Sequence, residues 1–160
     1  MKIIAQIIIL ILVASCVQTK LKNKEGKDKT IEELVTDSTY AKYWCSIEVL
    51  KKIEKSLDEL EITMLEEFLA SFHENCKNNI EYSEWSNELL FKVIEKSPDN
   101  FLQLLFKNSS LDKGVILNEL SSPINDNFEI DNLVEIIKKA NAPEEIKTEI
   151  IESLNSTKQK

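Results

Sequence analysis

The sequence predicts an all-α fold: an irregular helical bundle or a short HEAT-like stack of helix pairs, preceded by a signal peptide and a flexible tether. Three observations predict it. After residue 29 the apolar residues recur at spacings of three and four, which gathers them on one face of a helix. Only two Gly and three Pro occur in 160 residues, so helix breakers are scarce. Ser, Thr, Asp or Asn stands ahead of most apolar stretches, where a side-chain oxygen can cap a helix N-terminus. No fixed period relates the segments, so the pattern leaves bundle and stack open.

The first element is the N-terminus. Met1-Lys2 is followed by the mostly apolar run Ile3 to Ala14 and then by Ser15-Cys16. One positive charge, a short apolar run and small residues are the layout of a secretory signal peptide. The run falls short of the about 20 helical residues that a bilayer core demands. Val13-Ala14-Ser15-Cys16 resembles the lipobox of bacterial lipoproteins: an aliphatic residue, two small residues, then cysteine. The resemblance covers residues 1–16 only. It implies diacylglycerol transfer to the Cys16 thiol, cleavage after Ser15 and, commonly, a palmitate-type acyl chain on the freed amine. Each buried CH₂ adds about 0.8 kcal/mol, so two or three chains hold a protein firmly on a membrane. The resemblance also implies the bacterial cell envelope, and the outer membrane in an organism with two, because Val17 rather than Asp follows the cysteine. Taken alone, Val13 and Ser15 also suit an ordinary signal peptidase, which would release the domain unanchored.

These readings divide the chain into a signal peptide (1–15), a lipidated cysteine with a basic tether (16–29), one helical domain (30–155) and a frayed tail (156–160). From Val17 to Lys29 five Lys face Glu25 and Asp28, a balance of +3. From Thr30 onward 14 Lys face 26 acids, a balance of −12. An acidic domain thus follows a basic tether, which is either a solvated linker or a contact with anionic headgroups. The acidity argues against a nucleic-acid partner, whose binding is driven by Lys and Arg displacing counterions. There is no Arg at all, which removes bidentate phosphate clamps.

Three cysteines leave one unpaired in an exported chain. With Cys16 carrying lipid, Cys45 and Cys76 remain and can form a disulfide in an oxidising compartment. Closing that loop would stabilise the fold by roughly 3 kcal/mol. Two buried free thiols are the alternative.

Within the domain, Thr30 and Glu33 fit a capping box ahead of a short helix with Ile31, Leu34 and Val35. Asp37 or Ser38 offers a second start. Tyr40, Tyr43, Trp44, Ile47, Leu50 and Ile53 then form an amphipathic stripe that should end near Ser56. Thr63 and Glu66 make another capping box, opening a helix with Leu65, Phe68, Leu69, Phe72 and Cys76 and closing at Asn78 and Asn79. Antiparallel packing of these two helices puts Cys45 within about one turn of Cys76. Ser83 caps a long helix carrying Trp85, Leu89, Leu90, Val93 and Ile94. Ser97-Pro98 restarts the chain with Ser at the cap and Pro in the first turn. Phe101, Leu102, Leu104, Leu105 and Phe106 make that helix the expected buried centre. Ser110 starts a helix with Val115, Ile116, Leu117 and Leu120; residues 122–127 form a loop; Asp131 starts a helix with Leu133, Val134, Ile136 and Ile137. Pro143 opens the last helix, with Ile146, Ile150, Ile151 and Leu154.

Few chemistries survive inspection. His73 is the only histidine, and Lys77 stands where a zinc-protease HExxH helix needs its second His. Gly26 and Gly114 are too few for a phosphate loop or dinucleotide fingerprint. Asp126, Asn127, Glu129 and Asp131 lack the Gly and spacing of a calcium loop. No carboxylate pair stands out from solvated helix faces, so no catalytic residue, metal or cofactor is assigned. Tyr82 and Trp85 beside Glu81 and Glu84 are the best candidates for an exposed contact with a partner, since Tyr and Trp are typical interface anchors. The expectation is a membrane-anchored, extracytoplasmic, non-enzymatic module that binds a protein, one of basic character suiting the acidic surface. An immunity or inhibitor protein is one concrete form. A lipid or small-ligand carrier, or an enzyme with an unfamiliar site, is the alternative.

Overall fold

The computed structural model describes residues 39–157, together with the backbone of two short paired segments nearer the N-terminus. The signal peptide, Cys16, the Thr30 capping box and its short helix, and residues 158–160 lie outside the described residues. Inside the stretch expected as a flexible tether, β1 (Leu21–Lys22) and β2 (Asp28–Lys29) pair antiparallel, with Leu21 opposite Lys29.

The fold is all-α. Among the described residues there are seven α-helices: α1 (Ile47–Ser56), α2 (Ile62–Ala70), α3 (Ile80–Lys96), α4 (Pro98–Lys107), α5 (Lys113–Leu120), α6 (Ile130–Lys139) and α7 (Glu144–Ser156). None of the helices among these residues is long and apolar enough to cross a membrane. Two 3₁₀ turns, Ala41–Tyr43 and Glu74–Asn78, supply the tight connections.

The helices bury the expected stripes, but α3 rather than α4 is the centre. Leu89, Leu90, Phe91, Val93 and Ile94 are fully buried, because α3 packs against α1, α4, α5 and α6 at once. In α4, Phe101, Leu102 and Leu105 point inward while Phe106 is 46% exposed. A solenoid stacks each repeat only against its neighbours. One helix touched by four others is a bundle instead.

Helix ends depart from the expected caps for local reasons. Ser46 caps α1, its Oγ accepting the Val49 N–H at 3.4 Å. The helix expected from Asp37 or Ser38 through to Ser56 is broken, because Cys45 takes a positive φ of 54°. Thr63 lies inside α2 rather than capping it; Glu61 holds the cap position without a side-chain hydrogen bond. α2 then stops at Ala70 instead of reaching Asn78. Ser71 is fully buried, and its Oγ donates to the Phe68 carbonyl at 2.7 Å. Such back-bonding competes with helix continuation. The Ser71 carbonyl is taken by the Cys45 N–H at 3.0 Å.

Further along, Asn79 caps α3 by accepting the Tyr82 N–H, four residues ahead of the cap expected at Ser83. Asp112 rather than Ser110 caps α5, accepting from Val115 N. α6 starts one residue before Asp131, and α7 runs to Ser156, slightly into the expected tail.

Candidate functional site

Helical spacing sets Glu81, Glu84, Trp85 and Glu88 on one face of α3, at positions i, i+3, i+4 and i+7. Across from them runs the loop between α5 and α6, bringing Ile124, Asn125, Asp126 and Asn127. Together these residues line an open groove of about 660 Å³. Ile124 is 53% exposed, and Trp85 is half-buried against the core. Glu88 pairs with Lys92 at 2.7 Å. Among the described residues no lysine lines the groove.

The loop wall is held by buried anchors. Asn87, one helical step past the groove face, is fully buried. Its Nδ2 donates to the Glu119 carbonyl at 3.2 Å, to Glu119 Oε2 at 2.8 Å and to the Ser122 carbonyl at 3.3 Å. Its Oδ1 accepts the Ile124 N–H at 3.0 Å. Further along the loop, Phe128 stacks on Phe91 with ring centroids 4.7 Å apart. A surface loop of this kind is ordinarily among the more mobile parts of a fold; here it is tied to α3 at both ends.

Of the four residues expected at a partner contact, Glu81, Glu84 and Trp85 meet in this groove. Tyr82 does not. It is 1% exposed, packs edge-on to Phe72, and shares a 2.6 Å hydrogen bond with Ser71 Oγ. Burial pushes its phenol pKa well above the ordinary range, a shift only partly offset by the hydrogen bonds from Ser71 and Ser86. In the first turn of α3, Tyr82 faces inward while Glu81 and Glu84 face out. Glu88 was legible, being four residues from Glu84 on the same face. Ile124 carried a weaker signal, a lone apolar residue in a polar loop. Asn87 carried none, because a buried polar hub cannot be told from an exposed Asn by spacing.

A second pocket, of about 420 Å³, lies between the Glu74–Asn78 turn, α3 and α5. His73 lines it, half-buried and stacked on Trp44 at 3.7 Å with the rings 17° apart. His73 Nδ1 accepts the Asn75 N–H, so the ring serves as the cap of the 3₁₀ turn rather than lying on the flank of a helix. The pocket mixes Glu74, Lys77, Asp112 and Glu119 with Phe72 and Val115. That open, mixed lining differs from the enclosed apolar cavity suited to a lipid. Among the described residues no three His, Cys, Asp or Glu side chains gather as a metal site.

Cys45 and Cys76 form a disulfide, with Cα atoms 5.4 Å apart. The pair meets as expected, but across a turn and a 3₁₀ segment instead of two regular helices. Next to it Tyr40 Oη donates to Glu66 Oε1 at 2.7 Å, and Asn108 Nδ2 reaches both. Desolvation first, and then the bond to Glu66, raises the Tyr40 pKa. Tyr43 Oη similarly donates to Glu67 at 3.0 Å. These contacts dock residues 39–45 onto α2.

No family model, curated protein or solved structure matches the chain.

Proposed function

We propose that this chain is a lipid-anchored, extracytoplasmic protein whose helical domain acts by binding another protein and not by catalysis. The groove between α3 and the α5–α6 loop carries the binding half of this reading. It offers a half-buried Trp85 and an exposed Ile124 bordered by carboxylates. Aromatic anchors with a polar rim are the usual makeup of a protein-binding patch. The anchoring half rests on Val13-Ala14-Ser15-Cys16 and on the Cys45–Cys76 bond. Structural disulfides persist chiefly in oxidising compartments outside the cytosol.

Two measurements test the two halves separately. The intact mass of protein extracted from its native membrane should correspond to a chain starting at Cys16 and carrying acyl groups. An unacylated mass would sink the anchor. For binding, a photo-crosslinking amino acid placed at position 85 should give a discrete adduct with one protein in intact cells. The same probe at exposed position 152 on α7 should not. Equal labelling from both positions, or none from either, would sink the binding reading.

A further inference from the structure

We infer that the groove is preformed for a basic segment of another protein, in which an apolar side chain seats between Trp85 and Ile124 while flanking lysine or arginine side chains reach Glu81, Glu84 and Asp126. This deepens the binding reading above and rests on it. Charge complementarity is the first argument. Of the four acidic residues lining the groove, Glu88 pairs with Lys92, and among the described residues that line it there is no lysine to face Glu81, Glu84 or Asp126. They sit on a domain whose formal balance from Thr30 onward is −12. A cation entering here lowers the repulsion among these carboxylates, whereas a second copy of the domain would bring the same charges and raise it.

The second argument is preorganisation. A groove with a floppy wall would lose binding energy in ordering it. Here the wall is fixed before any partner arrives. Asn87 holds the Glu119, Ser122 and Ile124 backbone, and Phe128 is locked on Phe91. Asn87 is thus a positioning residue for Ile124. Dimensions set the third constraint. From Glu81 to Glu88 the helix rises roughly 10 Å, which three or four extended residues would span. The occupant is therefore a short basic stretch around one bulky apolar residue, not a folded face.

The test uses the full chain in detergent and a short fluorescein-labelled peptide with a central leucine flanked by lysines, read by fluorescence anisotropy. Binding should weaken roughly tenfold in Trp85→Ala and in Ile124→Ser, and at least as much in Glu84→Lys. Glu145→Lys, a like change in charge at an exposed position of α7, should leave it within about twofold. Circular dichroism of each variant checks that the fold is kept. If Glu145→Lys weakens binding as much as Glu84→Lys while the two apolar variants are silent, only the general field of the domain is at work, and the inference is overturned. A peptide of residues 17–29 that outcompetes the probe at the same residues would also overturn it, assigning the groove to the chain's own tether. No binding of the probe, with a discrete crosslink still formed from position 85 in cells, would reject the basic segment but spare the protein-binding reading. Loss of both signals would reject both.

Discussion

Residues 39–79 and residues 80–157 are built by different means. In the first region the helices are short and interrupted. Two 3₁₀ turns, a positive φ at Cys45, the Cys45–Cys76 bond and the Tyr40–Glu66–Asn108 and Tyr43–Glu67 contacts hold them in place. In the second region α3 to α7 follow the apolar periodicity closely, and packing around α3 does most of the joining. The difference teaches what periodicity can encode. It marks which face of a segment is buried. It does not mark a point where a covalent link or a buried hydroxyl redirects the chain.

The comparison is tested most severely at its apolar end. Phe91 is fully buried at the middle of α3 and stacks on Phe128. Phe91→Ala should cost about 3–5 kcal/mol, from lost transfer energy and the cavity left behind. The midpoint of urea unfolding measures this. A cost under about 1 kcal/mol would remove α3 from the centre of the fold. The next effect lies at the cross-linked end. Reducing Cys45–Cys76, or replacing both by Ala, should cost about 3 kcal/mol by freeing a long loop in the unfolded chain. If reduction leaves thermal stability unchanged, the polar contacts of residues 39–45 suffice alone and the two regions differ less than their cross-link suggests.

The same contrast explains what was legible. The all-α class, the Ser97-Pro98 restart, the loop at 122–127 and the inward stripes of α3, α6 and α7 follow from spacing and local capping chemistry. The end of α2 did not, since Ser71 looks like any helix-tolerant Ser until its neighbours Phe68, Tyr82 and Cys45 are in place. Tyr82 was misplaced for a related reason. Taking Ser83 as the cap put Tyr82 outside the helix, whereas capping by Asn79 rotates it into the core. Half of the groove was readable on α3 as Glu81, Glu84 and Trp85. The other half was hidden, because a loop wall is positioned by long-range bonds to Asn87 that leave no local pattern.

Tyr82 also supplies a pH-dependent test at the junction of the two regions. Its hydroxyl bonds Ser71 of the first region from the first turn of α3. Burial raises its pKa in the folded state, so the folded protein keeps the phenol proton at pH values where the unfolded chain, with an ordinary tyrosine near 10, has lost it. The unfolded state then binds fewer protons, and stability falls as pH rises. The contribution is complete below about pH 10 and is lost above it, at up to about 1.4 kcal/mol per pH unit for one such group. Tyr82→Phe should flatten this alkaline slope while costing about 1 kcal/mol at neutral pH for the lost hydrogen bond. An unchanged slope in Tyr82→Phe would place the alkaline sensitivity elsewhere, with Tyr40 the next group to examine.

The smallest predicted effect separates the disulfide from the turn that carries it. Cys45 sits at φ 54°, in the left-handed region, where a side chain costs about 1–2 kcal/mol and glycine essentially none. The Cys45 N–H is nonetheless bonded to the Ser71 carbonyl, so the turn has a hold on α2 besides its sulfur. Two variants without the disulfide decide whether that hold persists: Cys45→Ala/Cys76→Ala and Cys45→Gly/Cys76→Ala. If the turn keeps its shape, the glycine variant should be the more stable by about 1 kcal/mol, after allowing for the greater freedom of glycine in the unfolded chain. If the turn relaxes once the bond is gone, alanine loses its penalty and the order reverses. The first outcome makes the Cys45 turn a property of the docked segment, with the disulfide fastening a geometry that already exists. The second makes the disulfide the cause of the turn, and with it the cause of the break that no helical pattern in the sequence marks.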